Sequence, residues 1–156
     1  MKKRSITKLL VSGVVILLAL VSLAFLRPNN NAKSDGSFKL IIMDLKDDYL
    51  YEEDLIFFKD ESFYDVLKRN FIVICADRNY NPDCECSYEF NLITHKERIV
   101  LGLKNDDFEL ISSWQNDFLA FYEQIDEDLV LLNYGVNNIS FNDNDTFVIK
   151  HERVLN

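Results

Sequence analysis

Hydrophobic and polar positions divide the chain into three parts: one long apolar run, a polar stretch, and a remainder in which short apolar blocks alternate with charged turns. The long run, LLVSGVVILLALVSLAFL, covers residues 9–26 without a charge and is closed by Arg27 and Pro28. RPNNNAKSDGS (27–37) follows, polar throughout and punctuated by Pro28 and Gly36. After it the apolar blocks have strand length. FKLIIMDL (38–45), DLIFFKD (54–60), FIVICA (71–76), ERIVLGL (97–103), DLVLLNYGV (128–136), NISF (138–141) and TFVIK (146–150) are predicted strands.

One short helix is predicted over 62–68. Ser62 can cap it, Asp65 stands three residues on as in a capping box, and Phe63, Val66 and Leu67 share a face before Asn70 ends it. ISSWQNDFLAFYEQI (111–125) is ambiguous. Ile111, Trp114, Phe118, Phe121, Tyr122 and Ile125 fit an amphipathic helix, yet the stretch also alternates, and periodicity alone leans to the helix. One helix against about seven strands predicts an α+β class with a mixed or antiparallel sheet. No repeat or second domain is visible, so the globular part runs over 38–154 behind a flexible spacer at 28–37.

The N-terminus changes the picture from a plain globular chain to an exported one. MKKRSITK carries Lys2, Lys3, Arg4 and Lys8 and no acid. Eighteen apolar residues rise about 27 Å as a helix, nearly the thickness of a hydrocarbon core. Residues 1–27 therefore read as an uncleaved membrane anchor through 9–26, or as a signal peptide. Small residues at Ser22 and Ala24 suit cleavage, and the length of the run suits retention. In both readings the basic end stays cytoplasmic and the remainder is exported, held at the cell membrane or secreted.

Beyond Arg27 stand 12 bases and 26 acids, a net charge of −14. Such a surface repels phosphate backbones, which excludes nucleic acid as a partner, and keeps a small exported domain dispersed.

Candidate chemistry is sparse. Cys75, Cys84 and Cys86 are the three cysteines, and Cys84 and Cys86 are too close for an easy mutual bridge. Three readings stay open: free thiols, which the spacing favours, a disulfide between Cys75 and either Cys84 or Cys86, and a thiolate–imidazole zinc set including His95. His95 and His151, the only histidines, sit among charged neighbours. Four glycines leave no phosphate loop, neither G-x-S-x-G nor H-E-x-x-H occurs, and the acid pairs fall in turn-like stretches. No catalytic residue is assigned, and no enzyme is expected. Asn142-Asp143-Asn144-Asp145 echoes a calcium loop, but counting from Asp143 puts Val148 and Val154 where an EF-hand needs Gly and Glu. The tetrapeptide reads instead as the turn of a hairpin between NISF and TFVIK, with Asn144 at positive φ, and no resident metal is expected.

The order of these pieces resembles a bacterial surface domain family similar to the transcobalamin C-terminal domain. The resemblance is carried by Ser62-Phe63-Tyr64-Asp65-Val66-Leu67, by the aromatics from Trp114 to Tyr122, by Tyr134-Gly135-Val136, and by the final turn with its last strand. It departs at Asn144, where the family has Gly, and in the cysteine loop. It implies a β-grasp-like fold, makes the Trp114 segment a strand, and offers Trp114, Phe118 and Tyr122 as ligand-facing residues. It also implies a non-enzymatic, membrane-anchored binding module without a resident cofactor, for a small ligand such as a corrinoid (cobalamin) or for a membrane transporter partner. A structural or adhesion protein of the cell surface is the alternative.

Overall fold

A computed structural model describes residues 30–91, 96–133 and 135–154. The expected signal or anchor helix lies outside them, as do His95 and Tyr134; among the described residues no helix is long and apolar enough to cross a membrane.

Strands β1 (Gly36–Met43) and β2 (Tyr49–Phe57) form a hairpin, followed by helix α1 (Phe63–Asn70). Next come β3 (Ile72–Ala76), the two-residue β4 (Pro82–Asp83), β5 (Phe90–Asn91) and β6 (Lys96–Glu97), then β7 (Val100–Lys104) and β8 (Glu109–Ile111). The chain ends with β9 (Asp117–Ile125), β10 (Asp128–Leu131), a single 3-10 turn at Val136–Asn138, and β11 (Thr146–Arg153). Three sheets result, ordered β10-β9-β11-β1-β2, β4-β3-β7-β8 and β5-β6.

This corrects the α+β class and the single β-grasp-like sheet expected from the sequence. Among the described residues the domain is mostly β, with 48% in strands and 9% helical, in three sheets with one helix. The reason lies in β3 and β7. Val73, Ile74, Cys75 and Ala76 are all buried, as are Val100, Leu101, Gly102 and Leu103, so both faces of these strands need cover. An eight-residue helix cannot provide it, and the two strands pair with each other in a second sheet instead.

The five-stranded sheet carries the main core. β1 runs parallel to β11 at its centre, with Leu40 beside Phe147 and Ile42 beside Ile149, while its other pairs are antiparallel. Phe38, Phe57, Phe63, Phe141 and Phe147 meet there, their ring centroids 4.9–6.0 Å apart. Full burial of each such ring is worth about 1.5–3 kcal/mol. The helix closes this core with Phe63, Val66 and Leu67. Its start is fixed by the capping box, Asp65 N donating to Ser62 Oγ (3.2 Å) and Ser62 N to Asp65 Oδ2 (3.0 Å). Asn70 ends it by donating from Nδ2 to Val66 O (2.8 Å).

Two further expectations change. NISF forms no strand. Ile139 and Phe141 plug the core, and the turn after them docks on β1: Asn144 N donates to Ser37 O (2.8 Å) and Ser37 N to Asp143 Oδ1 (2.9 Å). Asn144 does take positive φ, 67°. Gly36 permits the approach, since a Cβ there would lie 2.7 Å from the Phe57 ring and 2.8 Å from Asp143 Oδ1. The second change concerns the spacer, which is bound from Asn30 onward. Ala32 is buried and exchanges backbone hydrogen bonds with Asp60 and Glu61 (2.8 Å each), Asn30 Nδ2 donates to Asn138 O (2.6 Å), and Lys59 N donates to Asp35 Oδ1 (2.8 Å).

Candidate functional site

A cavity of about 290 Å³ opens between β9, the end of β10 and the segment leading into β7. Its apolar wall comes from Trp114, Phe118, Phe121, Leu131 and Val136, and its polar corner from Glu97, Arg98 and Asn133. Burial on both faces of β9, at Leu119 and Ala120, explains why periodicity misread this segment as a helix.

Trp114 belongs to the turn before β9, at φ 62°. Asp117 organises that turn by accepting from Ser113 N (2.6 Å), while Ser113 Oγ accepts from Asn116 N (3.1 Å) and Asn116 O from Val154 N (2.9 Å). The indole stacks on Tyr80, 6.0 Å between centroids and 10° between planes. Tyr80 is also at φ 62°, in a loop held by Asp77, whose Oδ1 accepts from the amides of Asn79 (2.7 Å) and Asn81 (2.8 Å). Those amides hold the exposed Asp77 carboxyl below its ordinary range, led by the Asn81 bond. The row continues from Tyr80 to Phe90 (5.1 Å) and from Phe90 to Tyr88 (4.9 Å).

At the polar corner, Glu97 is a buried carboxylate. It accepts from Asn138 Nδ2 (2.5 Å), Arg98 N (3.1 Å) and Asn137 N (3.2 Å). Gly135 packs directly over it: a Cβ at 135 would stand 1.7 Å from Glu97 Cδ, so no larger residue fits without displacing the carboxylate. Arg98 turns its guanidinium outward, Nη2 to Glu89 Oε1 (2.7 Å), Nε donating to Cys86 O (3.2 Å), and Cζ 5.0 Å from the centre of the Tyr64 ring. Cys86 is disulfide-bonded to Cys75 on β3, fixing the loop that Arg98 grips. Cys84 is free and exposed, so the three-thiolate zinc alternative loses two of its ligands.

Of the three residues offered by the sequence, Trp114 and Phe118 line the cavity and Tyr122 does not. The Tyr122 hydroxyl donates to Glu152 Oε1 (2.6 Å); burial first, then the Glu152 hydrogen bond and charge, push it up to about 12. Glu97, Arg98, Gly135 and Tyr80 were missed as contributors. Glu97 and Arg98 opened an apolar strand block, and nothing local marks a charge there as buried.

Ser113, Asp117 and His151 are close in space but lack the arrangement of a catalytic triad. His151 Nε2 lies 3.0 Å from Asp117 Oδ1 with its N–H off the line, so charge proximity rather than an aligned hydrogen bond joins them. The Ser113 hydroxyl is engaged with the Asn116 amide, and an activated nucleophile needs its hydroxyl on the imidazole. Desolvation alone would raise the Asp117 carboxyl, but His151 and the Ser113 amide outweigh it and hold it below its ordinary value of 3.8. Among the described residues no group of three or more His, Cys, Asp and Glu side chains is placed to hold a metal ion. In the final turn Asp145 Oδ2 accepts from Asn142 N (2.6 Å) and Asp143 Oδ1 from Ser37 N (2.9 Å), so both carboxylates serve the backbone.

No protein-family model matches the chain, and no curated protein matches it.

Proposed function

We propose that this chain is an exported, membrane-anchored, non-enzymatic binding module whose cavity beside β9 takes a small, flat, apolar ligand. The observation that carries the reading is the cavity itself. About 290 Å³ with aromatic and aliphatic walls and one polar corner matches the lower end of small-molecule sites. Trp114 and Phe118 would stack on the ligand, and Asn133 at the polar corner would meet its polar end. A strained backbone displaying a half-exposed aromatic at the rim supports the same reading, because such strain gathers at ligand clamps.

Size decides between ligands. A corrin macrocycle exceeds what this cavity encloses, so a corrinoid could seat only a peripheral edge or side chain. One or two fused rings suit the volume better. The resemblance to transcobalamin-like surface domains supports export and binding without selecting the ligand.

Trp114 is the only tryptophan, so its fluorescence reports the rim directly. Titration with indole derivatives, monocyclic phenols and cyanocobalamin should give saturable quenching with the small aromatics that Phe118→Ala weakens about tenfold. Tighter saturation by cyanocobalamin would restore the corrinoid as the ligand. No saturable change with any of them, together with attachment of the domain to cells or matrix, would replace the module by an adhesin.

A further inference from the structure

The bound segment at Asn30–Asp35 has a consequence for how the domain meets the membrane. Between the end of the apolar run at Leu26 and Asn30, the first described residue and one whose side chain is anchored, stand only Arg27, Pro28 and Asn29. Fully extended, the chain from Leu26 to Asn30 spans at most about 14 Å. The headgroup layer on each side of a bilayer is itself about 5–7 Å thick. The surface around Asn30 therefore stays within about 10 Å of the headgroup layer while residues 9–26 remain in the hydrocarbon.

That surface has the chemistry of an interfacial contact. Asn31 Nδ2 donates to Asp60 O (2.8 Å) and Ala32 bonds the same turn, which places residues 58–61 beside the entering chain. Phe58, at the start of that turn, is 52% exposed, and Ile56, on the same face of the edge strand β2, is 63% exposed. Arg69 lies across Phe58, its Cζ 5.0 Å from the ring centre, and its guanidinium also binds Glu61 and the carbonyl of Ile56. Lys33 and Lys59 are exposed nearby. Aromatic and branched apolar side chains flanked by Lys and Arg are what a headgroup region accommodates.

The opposite end of the sheet is the Trp114 end. β11 runs from Thr146, level with Lys39, to Arg153, level with Asp117, so about 25 Å of strand separates the two ends.

We infer that the β2 edge around Ile56 and Phe58 rests on the outer leaflet of the membrane that the chain itself spans, and that the cavity rim at Trp114 points away from it. The inference rests on residues 9–26 being a retained span. With a charge of −14 beyond Arg27, the contact depends on the short tether and these two side chains and not on attraction to anionic lipid.

The test uses the full chain in phosphatidylcholine vesicles whose acyl chains are brominated, first checked by flotation. Phe58→Trp and Ile56→Trp, each in a Trp114→Phe background, should be blue-shifted and quenched about twofold, while the unaltered chain's Trp114 emission stays within about a tenth of its value in unbrominated vesicles. A chain that floats but leaves Trp unquenched at both 56 and 58, or quenches Trp114 equally, overturns the contact and leaves the span intact. A chain that does not float overturns the retained span and this inference with it, and leaves the cavity reading to its own titration.

Discussion

The five phenylalanines around Phe38 and the row from Trp114 through Tyr80 and Phe90 to Tyr88 are the same kind of side chain in opposite settings. The first group comes from extended strands, a helix and the docked segment before β11, and every ring is buried. The second sits on loops apart from Phe90, which opens β5, with Tyr80 45% and Trp114 40% exposed and both at positive φ. Bulky residues take up that conformation at a cost of order 1–3 kcal/mol. Burial offsets nothing comparable for the second group. The contrast teaches where this domain puts its apolar area to work. The Phe38 cluster holds the five-stranded sheet, the helix and the segment before β11 on one core, and the Trp114 row presents flat rings beside a cavity.

Truncation gives the largest expected separation. Phe38→Ala should destabilise by about 3–5 kcal/mol through the lost contacts and the cavity left behind. Trp114→Ala should cost about 1 kcal/mol or less, with the left-handed backbone at 114 keeping its strain because alanine retains the Cβ. Urea unfolding followed by far-UV circular dichroism measures both, and equal losses would erase the distinction between the clusters. Reduction of Cys75–Cys86 comes next. The bridge closes a sequence separation of 11 residues, so its loss should cost about 2–3 kcal/mol, with the Tyr80 loop and the grip of Arg98 on Cys86 O loosening first. Hydrogen exchange at residues 77–91 under reducing conditions reports this.

A smaller effect belongs to Asp117, which builds the turn carrying Trp114. Its carboxyl is lowered in the folded state, so the stability it contributes is present above its ordinary value and is lost as pH falls through the lower folded value. Asp117→Asn should cost about 1 kcal/mol at pH 7, and the gap between variant and parent should close in acid, below the ordinary carboxylate range. A gap independent of pH would mean the carboxylate charge is not what holds the turn. The smallest effect is at Asn144. Glycine tolerates φ 67° at least as well, and the lost Asn144 Nδ2 bond to Asp143 Oδ2 (3.0 Å) is exposed, so Asn144→Gly should leave stability within about 0.5 kcal/mol, calcium present or absent.

Much of the large sheet was legible because its strands are continuous apolar runs with clear ends. FKLIIMDL became β1, TFVIK opened β11, and Ser62 with Asp65 marked the helix start by chemistry that acts within four residues. The second sheet was harder to see. β4, β5 and β6 are two residues long and exist through pairing with a nearby segment, β4 with β3 and β5 with β6, not through any pattern of their own. NISF alternates as a strand would, yet Ile139 and Phe141 go to the core while the backbone turns toward Ser37. Residues 30–35 are polar like any spacer, and only their hydrogen bonds to residues 58–61 and 138 show that they belong to the domain. At the cavity, Trp114 and Phe118 stood out as aromatics. Glu97 and Gly135 act together through a close approach between residues 38 positions apart, which no local pattern encodes.

The central claim is that the cavity beside β9 is a ligand site. The most direct measurement is amide chemical-shift mapping of the isotope-labelled domain during titration with a small fused-ring aromatic such as indole. The account predicts saturable shifts concentrated at residues 114, 118–121, 131–133 and 135–136, and little change around Phe38. Shifts confined to another surface, or none at about 1 mM ligand, a concentration at which even weak fragments register, would contradict it.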